Sequence, residues 1–554
     1  MLSIKHFFTA IFLILNLVAG AQNTVGLLSY NKGRSFEGYN LIYPHNQGNV
    51  YLLNNCGEIV HMWEDGFEFH PGITAYLTKD GNLIRAKRLK NTTQDTINGG
   101  GSGGIVEIVD WDNNLLWTYE LNNSKRRLHH DIAPMPNGNI LMLAWEPKSR
   151  SEIIKAGRDT TRYNENRLFS EVIIEVNPAT NEIVWEWRQW DHLIQDFDPA
   201  TDNYGSVENN PGKIDINYNA ISGSVTWMHA NAIAYNPFLD QIIVSTPTYE
   251  EIWVIDHSTT TEQAAGSVGG LSGKGGDLMY RWGNARTYRK GDILPQNLFF
   301  QHDSHWVLDF ISQADPNFGN IAVFNNRAGS DFSTANIFTP PWDMYEWKYT
   351  MLNGVWGPFD FAETFTHPVP TRLYSDGLSS IQLLPNKNVL IHSGRQGYAF
   401  ELTPDRQIVW EYKTPLKNGL PVTQGSVLVL NDNLTFRMNR YPVNYEAFAG
   451  KDLSPKGWIE NDPDVDYCEK LVSVKDIDRH NMTMQLFPNP AGNMLNINVL
   501  QKTDAVIVDQ DGRIIRELSL NTGNNEIDLS VLENGLYFVY SAEMGIVKVF
   551  NVLR

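Results

Sequence analysis

Cysteine is nearly absent. Cys56 and Cys468 are the only two in 554 residues, so a zinc site built from thiolates is excluded. Basic residues are scarce: 44 Lys and Arg stand against 63 Asp and Glu, a formal net charge of −19. Nucleic-acid binding needs a basic face and is excluded on that ground. The acidic excess names no partner, because acidic surfaces confer solubility. Long apolar runs are also missing. A spanning helix needs about 20 apolar residues, and no stretch reaches that length. Phe7 to Val18 falls short of it, follows Lys5 and His6, and precedes Ala19-Gly20-Ala21. This is the pattern of a signal peptide over residues 1–21, which predicts an exported, soluble chain starting near Gln22. No phosphate-binding loop is present: around Lys274, Val268 stands where the first glycine belongs and Gly275 where Ser or Thr belongs. No HxH or HxxxH pair supports a metal, and no cofactor is expected.

What is present is repetition. Four copies share an alternating strand, a turn and a second strand rich in Trp or Tyr: VYLLNNCGEIVHMWED from Val50, IVEIVDWDNNLLWTYEL from Ile105, VIIEVNPATNEIVWEWRQW from Val172 and YAFELTPDRQIVWEYKTP from Tyr398. A second unit recurs as AYLTKDGNLI from Ala75, APMPNGNILML from Ala133 and QLLPNKNVLI from Gln382. Alternation marks half-buried strands, and the Asn, Gly and Pro between them supply turns; Asn137-Gly138 suits a type I′ or related tight turn. Two such hairpins make a four-stranded blade, and radial repetition protects sheet edges. The reading is all-β, a six-bladed β-propeller within residues 22–475, with a pair of β-sandwiches as the alternative. Residues 476–484 read as a linker. Residues 485–554 alternate in short strands and read as a small β-sandwich. Cys56 and Cys468 flank the propeller, where a bridge would fasten the closing blade, although sequence alone does not set the Cα separation a disulfide needs. The Gly-rich stretch Ser258–Asp292 is expected to cover the propeller mouth, and Pro199–Val225 to form part of its rim.

Histidine is placed with regularity. His129-His130 stand before a strand from Ile132, His229 before a strand from Asn231, and His302 within FFQHDSHWV, where His305 follows three residues on. The start of an innermost strand faces the propeller axis, so three blades bring these imidazoles together. Clustered titratable groups in a cleft point to chemistry. An imidazole nitrogen attacks an electrophilic sulfur or phosphorus, a second imidazole moves the proton, and Asn231 lies two residues from His229 on the same strand face as a donor to the transferred group.

The stretches HHD at His129, WMHANAIAYNPFLDQIIVS at Trp227, QHDSHW at Gln301, GNIAVFNN at Gly319 and FRMNRYP at Phe436 resemble the arylsulfotransferase family. The resemblance implies a six-bladed propeller that moves sulfate by ping-pong kinetics from an aryl sulfate donor to a phenolic acceptor, without a nucleotide-sulfate donor. It implies transient sulfation of His302, with His229, Asn231 and one of His129 or His130 as partners. The family's sulfate-binding arginine is replaced by Pro247. Arg281, Arg437 and Arg440 are candidate substitutes as substrate ligands, as are Arg286 and Arg327. FPNPA at Phe487, Asp509 to Arg513 and LENGLYFV at Leu532 resemble the C-terminal sorting domain of the type IX secretion system of Bacteroidetes, implying that machinery as a partner and a secreted or surface-bound product. The rival readings are a non-catalytic surface-binding propeller and a quinone-dependent dehydrogenase propeller.

Overall fold

The computed structural model describes residues 23–65, 70–89, 96–162, 166–218, 225–473, 484–510, 513–541 and 546–554. The signal peptide and nearly all of the 476–484 linker lie outside the described residues. The chain divides into two compact units, Met1–Leu471 and Val472–Arg554.

The first unit is a β-propeller. Six sheets succeed one another along the chain, and each contributes one inner strand: Thr435–Pro442, His70–Leu77, Arg127–Pro134, Ala232–Asn236, His302–Trp306 and Ser380–Leu383. Each of these strands touches the next and the last touches the first, so the ring is closed. Both chain ends take part in closure. The first blade holds Gly38–Pro44, Val50–Leu53 and Ile59–Trp63 and borrows Thr435–Pro442 as its inner strand, while Gly26–Tyr30 pairs with Ile408–Lys413 as a fifth strand of the last blade. Cys56 and Cys468 are bridged, with Cα atoms 5.5 Å apart.

The recurrent aromatic strands explain how blades adhere. Trp63 Nε1 donates to Asp110 O, Trp187 to Gly276 O, Trp282 to Pro358 O and Trp410 to Asn55 O. In every case the tryptophan lies on the fourth strand from the axis and the carbonyl on the following blade; in the last blade Gly26–Tyr30 lies outside Trp410. Burying an indole requires a partner for its N–H, and the neighbouring turn provides one. The hairpins repeat one geometry as well. The Met135–Asn139 turn carries Gly138 at φ +86°, after Pro136-Asn137, and Thr78–Asn82 carries Gly81 at the same φ. This is a three-residue loop closed by a left-handed residue, one of the tight turns related to type I′.

Glu251–Asp256 runs antiparallel to Gln241–Thr246, so that Asp256 pairs with Gln241, whereas Ser245 pairs with Ala232 near His229. The Gly-rich stretch therefore leaves after Asp256 at the end of the blade opposite His229. It packs on the preceding blade, where His192 Nε2 and Ala264 O lie 2.8 Å apart. Tyr280–Trp282 then returns beside Glu251–Asp256, with Trp282 opposite Ile252, toward the His229 end.

The second unit is a β-sandwich. Met484–Phe487, Met494–Val499 and Gly523–Asp528 form one sheet; Ile514–Leu520, Thr503–Asp509, Gly535–Ser541 and Ile546–Val552 form the other. Leu495, Ile497, Ile507, Val539 and Phe550 fill the layer between them.

Candidate active site

The histidine motifs all sit where inner strands begin, and all distort the backbone. His130 has φ +50°, His229 φ +58°, and Asp303, directly after His302, φ +57°. Non-glycine residues avoid this region, and such strain gathers at functional sites. The ladder slips accordingly, between Met142 and Ala144 opposite the His129 turn and between His302 and His305. A bulge breaks the strict alternation of a strand, so neighbouring side chains share a side. His129 and His130 therefore meet, Nδ1 to Nδ1, at 2.9 Å.

Behind them stands a carboxylate that the sequence did not advertise. Glu171 Oε2 lies 2.8 Å from His129 Nε2, with both side chains 1 % exposed or less. Neither atom makes a hydrogen bond among the described residues, so the two meet as a close polar contact. Glu171 Oε1 accepts from Trp145 Nε1 (3.2 Å) and from the Ala230 N–H (2.9 Å), which fixes the carboxylate. The His129 ring stacks on Trp145 at 4.1 Å, and the His130 ring meets His229 edge-on at 4.6 Å. Gly101 closes over this group. Its carbonyl accepts the His130 N–H at 2.8 Å, its φ is +76°, and a Cβ there would overlap the His130 ring. Glycine is thus required by backbone and by space.

His302 is oriented by Asn326. The Asn326 amide nitrogen donates to Ser375 O (2.7 Å) and Leu378 O (2.9 Å), so its oxygen accepts from His302 Nδ1 at 2.8 Å. The proton of a neutral His302 is therefore on Nδ1, and Nε2 carries the lone pair. Burial pushes the His302 imidazole down to about 3; Asn326 and the Phe300 carbonyl oppose this, while His229 and Arg395 reinforce it. Burial and then His129 bring His229 down to about 4. His130 is held well below the usual histidine range by burial, then by His229, His129 and His302. These mutual effects gather His130, His229 and His302 into one electrostatic neighbourhood. His305 instead turns its Nδ1 to Asp303 O at 2.8 Å and lies outside it.

Asn231 is buried and donates to the carbonyl of Gln301 at 2.9 Å, joining the His229 strand to the residue before His302. The arginines differ from expectation. Arg281 pairs with Glu251 and donates to the Pro211 and Lys213 carbonyls. Arg440 pairs with Glu401 and Asn40. Both are fully buried, and neither hydrogen-bonds a site histidine. Arg437 reaches across the ring: Nε donates to Asp303 Oδ1 at 2.7 Å and Nη2 to Asp131 Oδ2 at 2.9 Å. It joins the aspartates that follow His302 and His130. Buried guanidinium groups need carboxylates, and these three have them inside the fold. Arg286 is exposed, and Arg327 lies over the Phe300 ring at 3.8 Å. The cation that bears on His302 is Arg395, paired with Asp376 at 3.0 Å and partly exposed. Sequence reading missed Arg395, Glu171 and Asn326. The only available signals were the NN pair at Asn325-Asn326 and the glycine run before Ser102.

Comparison with known proteins adds the following. Residues 76–418, more than half of the chain, match the family model described as Arylsulfotransferase (ASST), and residues 485–549 match that of a Secretion system C-terminal sorting domain. No curated protein matches. Among solved structures, a protein of unknown function from Bacteroides caccae is 10 % identical, covering 73 % of this chain and 99 % of its own, with a TM-score of 0.36. A catalytically inactive virginiamycin B lyase from Staphylococcus aureus with quinupristin is 9 % identical, covering 88 % of this chain and 96 % of its own, with a TM-score of 0.30. The Dos1 propeller is 8 % identical, covering 96 % of this chain and all of its own (100 %), with a TM-score of 0.31.

Proposed function

This chain belongs to the arylsulfotransferase family, and on that premise we propose that it transfers a sulfuryl group from an aryl sulfate to a phenolic or related acceptor through a sulfated His302. The observation that carries the reading is the tautomer of His302. Asn326 holds its Nδ1–H, its burial keeps it neutral, and Nε2 is left as the nucleophile. In the first half-reaction the Nε2 lone pair forms an N–S bond while the S–O(aryl) bond breaks. The bonding pair leaves on the phenolic oxygen, which takes a proton from the His130 side. The sulfated ring gains positive charge, and its Nδ1–H bond to Asn326 strengthens. In the second half-reaction the acceptor hydroxyl returns a proton and takes the sulfuryl group. His229 acts beside His130 as acid/base or sulfate-binding partner. Asn231 sets the Gln301 carbonyl and hence the turn that presents His302. Arg395, together with Arg327 over Phe300, is the cationic counterpart for the sulfate oxygens in place of the family arginine lost at Pro247.

The layout we propose is a signal peptide over 1–21, the catalytic propeller over 22–475, a linker over 476–484 and a sorting domain over 485–554. Export through the type IX machinery follows from that last domain, with the product released or kept at the cell surface. The test is mass spectrometry after incubation with an aryl sulfate and no acceptor. A sulfated His302 peptide is expected, and His302→Ala should show neither adduct nor turnover. Ligand affinity without turnover or adduct in the intact protein would refute catalysis and favour a binding propeller.

A further inference from the structure

A reaction that protonates its leaving group and later recovers the proton needs somewhere to keep it. His130 alone cannot serve, because burial and the neighbouring imidazoles disfavour its imidazolium form, and a neutral ring that gives up its one hydrogen needs another supplied from behind. We propose that Glu171 and His129 are a proton store behind His130, joined to it through the Nδ1–Nδ1 contact. The proposal rests on the sulfuryl-transfer reading above and adds the path of the proton.

The geometry allows two states of this array. In the loaded state Glu171 is ionised and His129 is an imidazolium. Its Nε2 lies 2.8 Å from Glu171 Oε2, close enough for the two charges to pair, and its Nδ1–H is shared with His130 Nδ1, 2.9 Å away. His130 then carries its hydrogen on Nε2, facing the pocket. When the S–O(aryl) bond breaks, His130 Nε2 gives that proton to the departing oxygen and His130 Nδ1 takes the one from His129. In the discharged state His129 keeps its hydrogen on Nε2 beside Glu171, His129 Nδ1 accepts from His130 Nδ1–H, and His130 Nε2 is bare. The acceptor hydroxyl then gives its proton to that bare nitrogen, and the array reverses. Every hydrogen is accounted for, and no external acid is consumed.

The surroundings fit a store. The groups facing the two imidazoles are Glu171 from the third blade, His229 from the start of the fourth, His302 from the fifth and the Trp145 ring. Glu171 is the one carboxylate among these facing groups, so positive charge has one place to settle. Its Oε1 is held by two N–H donors, which leaves Oε2 for His129 alone. Glu171 and His129 are positioning residues here: they act on substrate through His130.

The test compares two donors in single-turnover experiments, 4-nitrophenyl sulfate, whose phenolate leaves without help, and phenyl sulfate, which needs a proton. Glu171→Gln keeps the shape and removes the charge. It should slow phenyl sulfate by about 100-fold or more, the usual range for loss of acid catalysis, while slowing 4-nitrophenyl sulfate less than about 10-fold. Equal losses, or none, would overturn the store. Should the variant fail to fold, the wild-type proton inventory with phenyl sulfate decides instead. Two protons moving together give a bowed plot against deuterium fraction; a straight line overturns the proposal. If wild type forms no sulfated His302, the function reading fails. If the adduct forms and these results are negative, only the store fails.

Discussion

Arg437 offers the sharpest perturbation of the propeller's interior. Its guanidinium donates to Asp303 at 2.7 Å and to Asp131 at 2.9 Å, and also to Thr74 Oγ1 and the Tyr76 hydroxyl. The arginine side chain is 9 % exposed, Asp131 0 % and Asp303 5 %. Removing one partner of a buried pair costs roughly 3–5 kcal/mol, because a charge is left without compensation. Arg437→Met leaves two such charges. Asp131 keeps the Tyr76 hydroxyl and the Ile233 N–H, and Asp303 keeps the Ile381 N–H, which soften the loss. At least about 4 kcal/mol should disappear, a large share of the 5–15 kcal/mol typical of a domain. Urea unfolding followed by tryptophan fluorescence would read it. Arg437→Lys should fall between, since one ammonium reaches one carboxylate well and not both. Adding Asp131→Asn and Asp303→Asn to Arg437→Met should recover part of the loss. The competing assignment, a sulfate ligand, predicts an intact fold and a raised KM for the donor. An Arg437→Met protein within 1 kcal/mol of wild type, impaired only in KM, would refute the cross-ring tie.

Acid should destabilise the protein early. Burial holds His45, His229 and His392 to about 4 and His302 to about 3, so the unfolded chain takes up protons first as pH falls below 6.5. Each imidazole then removes roughly 2 kcal/mol between pH 6.5 and 5, and a flat urea midpoint across that range would contradict the burial argument. His302 stays neutral there, so on the proposed mechanism its sulfation in stopped-flow should not lose rate through its own protonation until pH approaches 3. Cys56→Ser should lower stability by at most about 6 kcal/mol, the chain-entropy ceiling for a sequence separation of 412; calorimetry with and without reductant would measure it. Gly101→Ala should abolish the His302 adduct while changing the melting temperature by only a few degrees, because its new Cβ displaces His130.

Much of the architecture was legible because the signals were local. The Trp- and Tyr-bearing hairpins of Val50, Ile105, Val172 and Tyr398 became the outer halves of blades, and the Ala75, Ala133 and Gln382 units became inner halves. Their alternation needs only neighbours in sequence to be read. The histidines were legible for the same reason, since each motif lies at or near the start of an inner strand. What stayed hidden depends on side chains from distant blades. Arg437 and Asp131 are 306 residues apart, and Arg437 in FRMNRYP has the same local appearance whether it ties two aspartates or awaits a sulfate. Glu171 precedes an apolar strand like many surface glutamates, and only the fold brings it to His129.

Backbone strain is not confined to the histidine turns: Asn113, Asn181, Asp240, Lys387 and Arg406 carry positive φ at hairpins, and Leu378 and Ser379 carry it before the sixth inner strand. A positive φ at a non-glycine residue costs of order 1–3 kcal/mol and persists only where packing over-determines it. His130, His229 and Asp303 each pay that cost at the start of an inner strand, in the third, fourth and fifth blades. In two of these three, a buried aspartate just past the histidine accepts a backbone N–H from the following blade: Asp131 from Ile233 and Asp303 from Ile381. The same two aspartates hold Arg437. The strained turns that present His130 and His302 are thus restrained from both sides, by the next blade and by the first. Propeller symmetry alone requires none of these contacts. Through Asp131 and Asp303, Arg437 holds the His130 and His302 turns to each other across the ring.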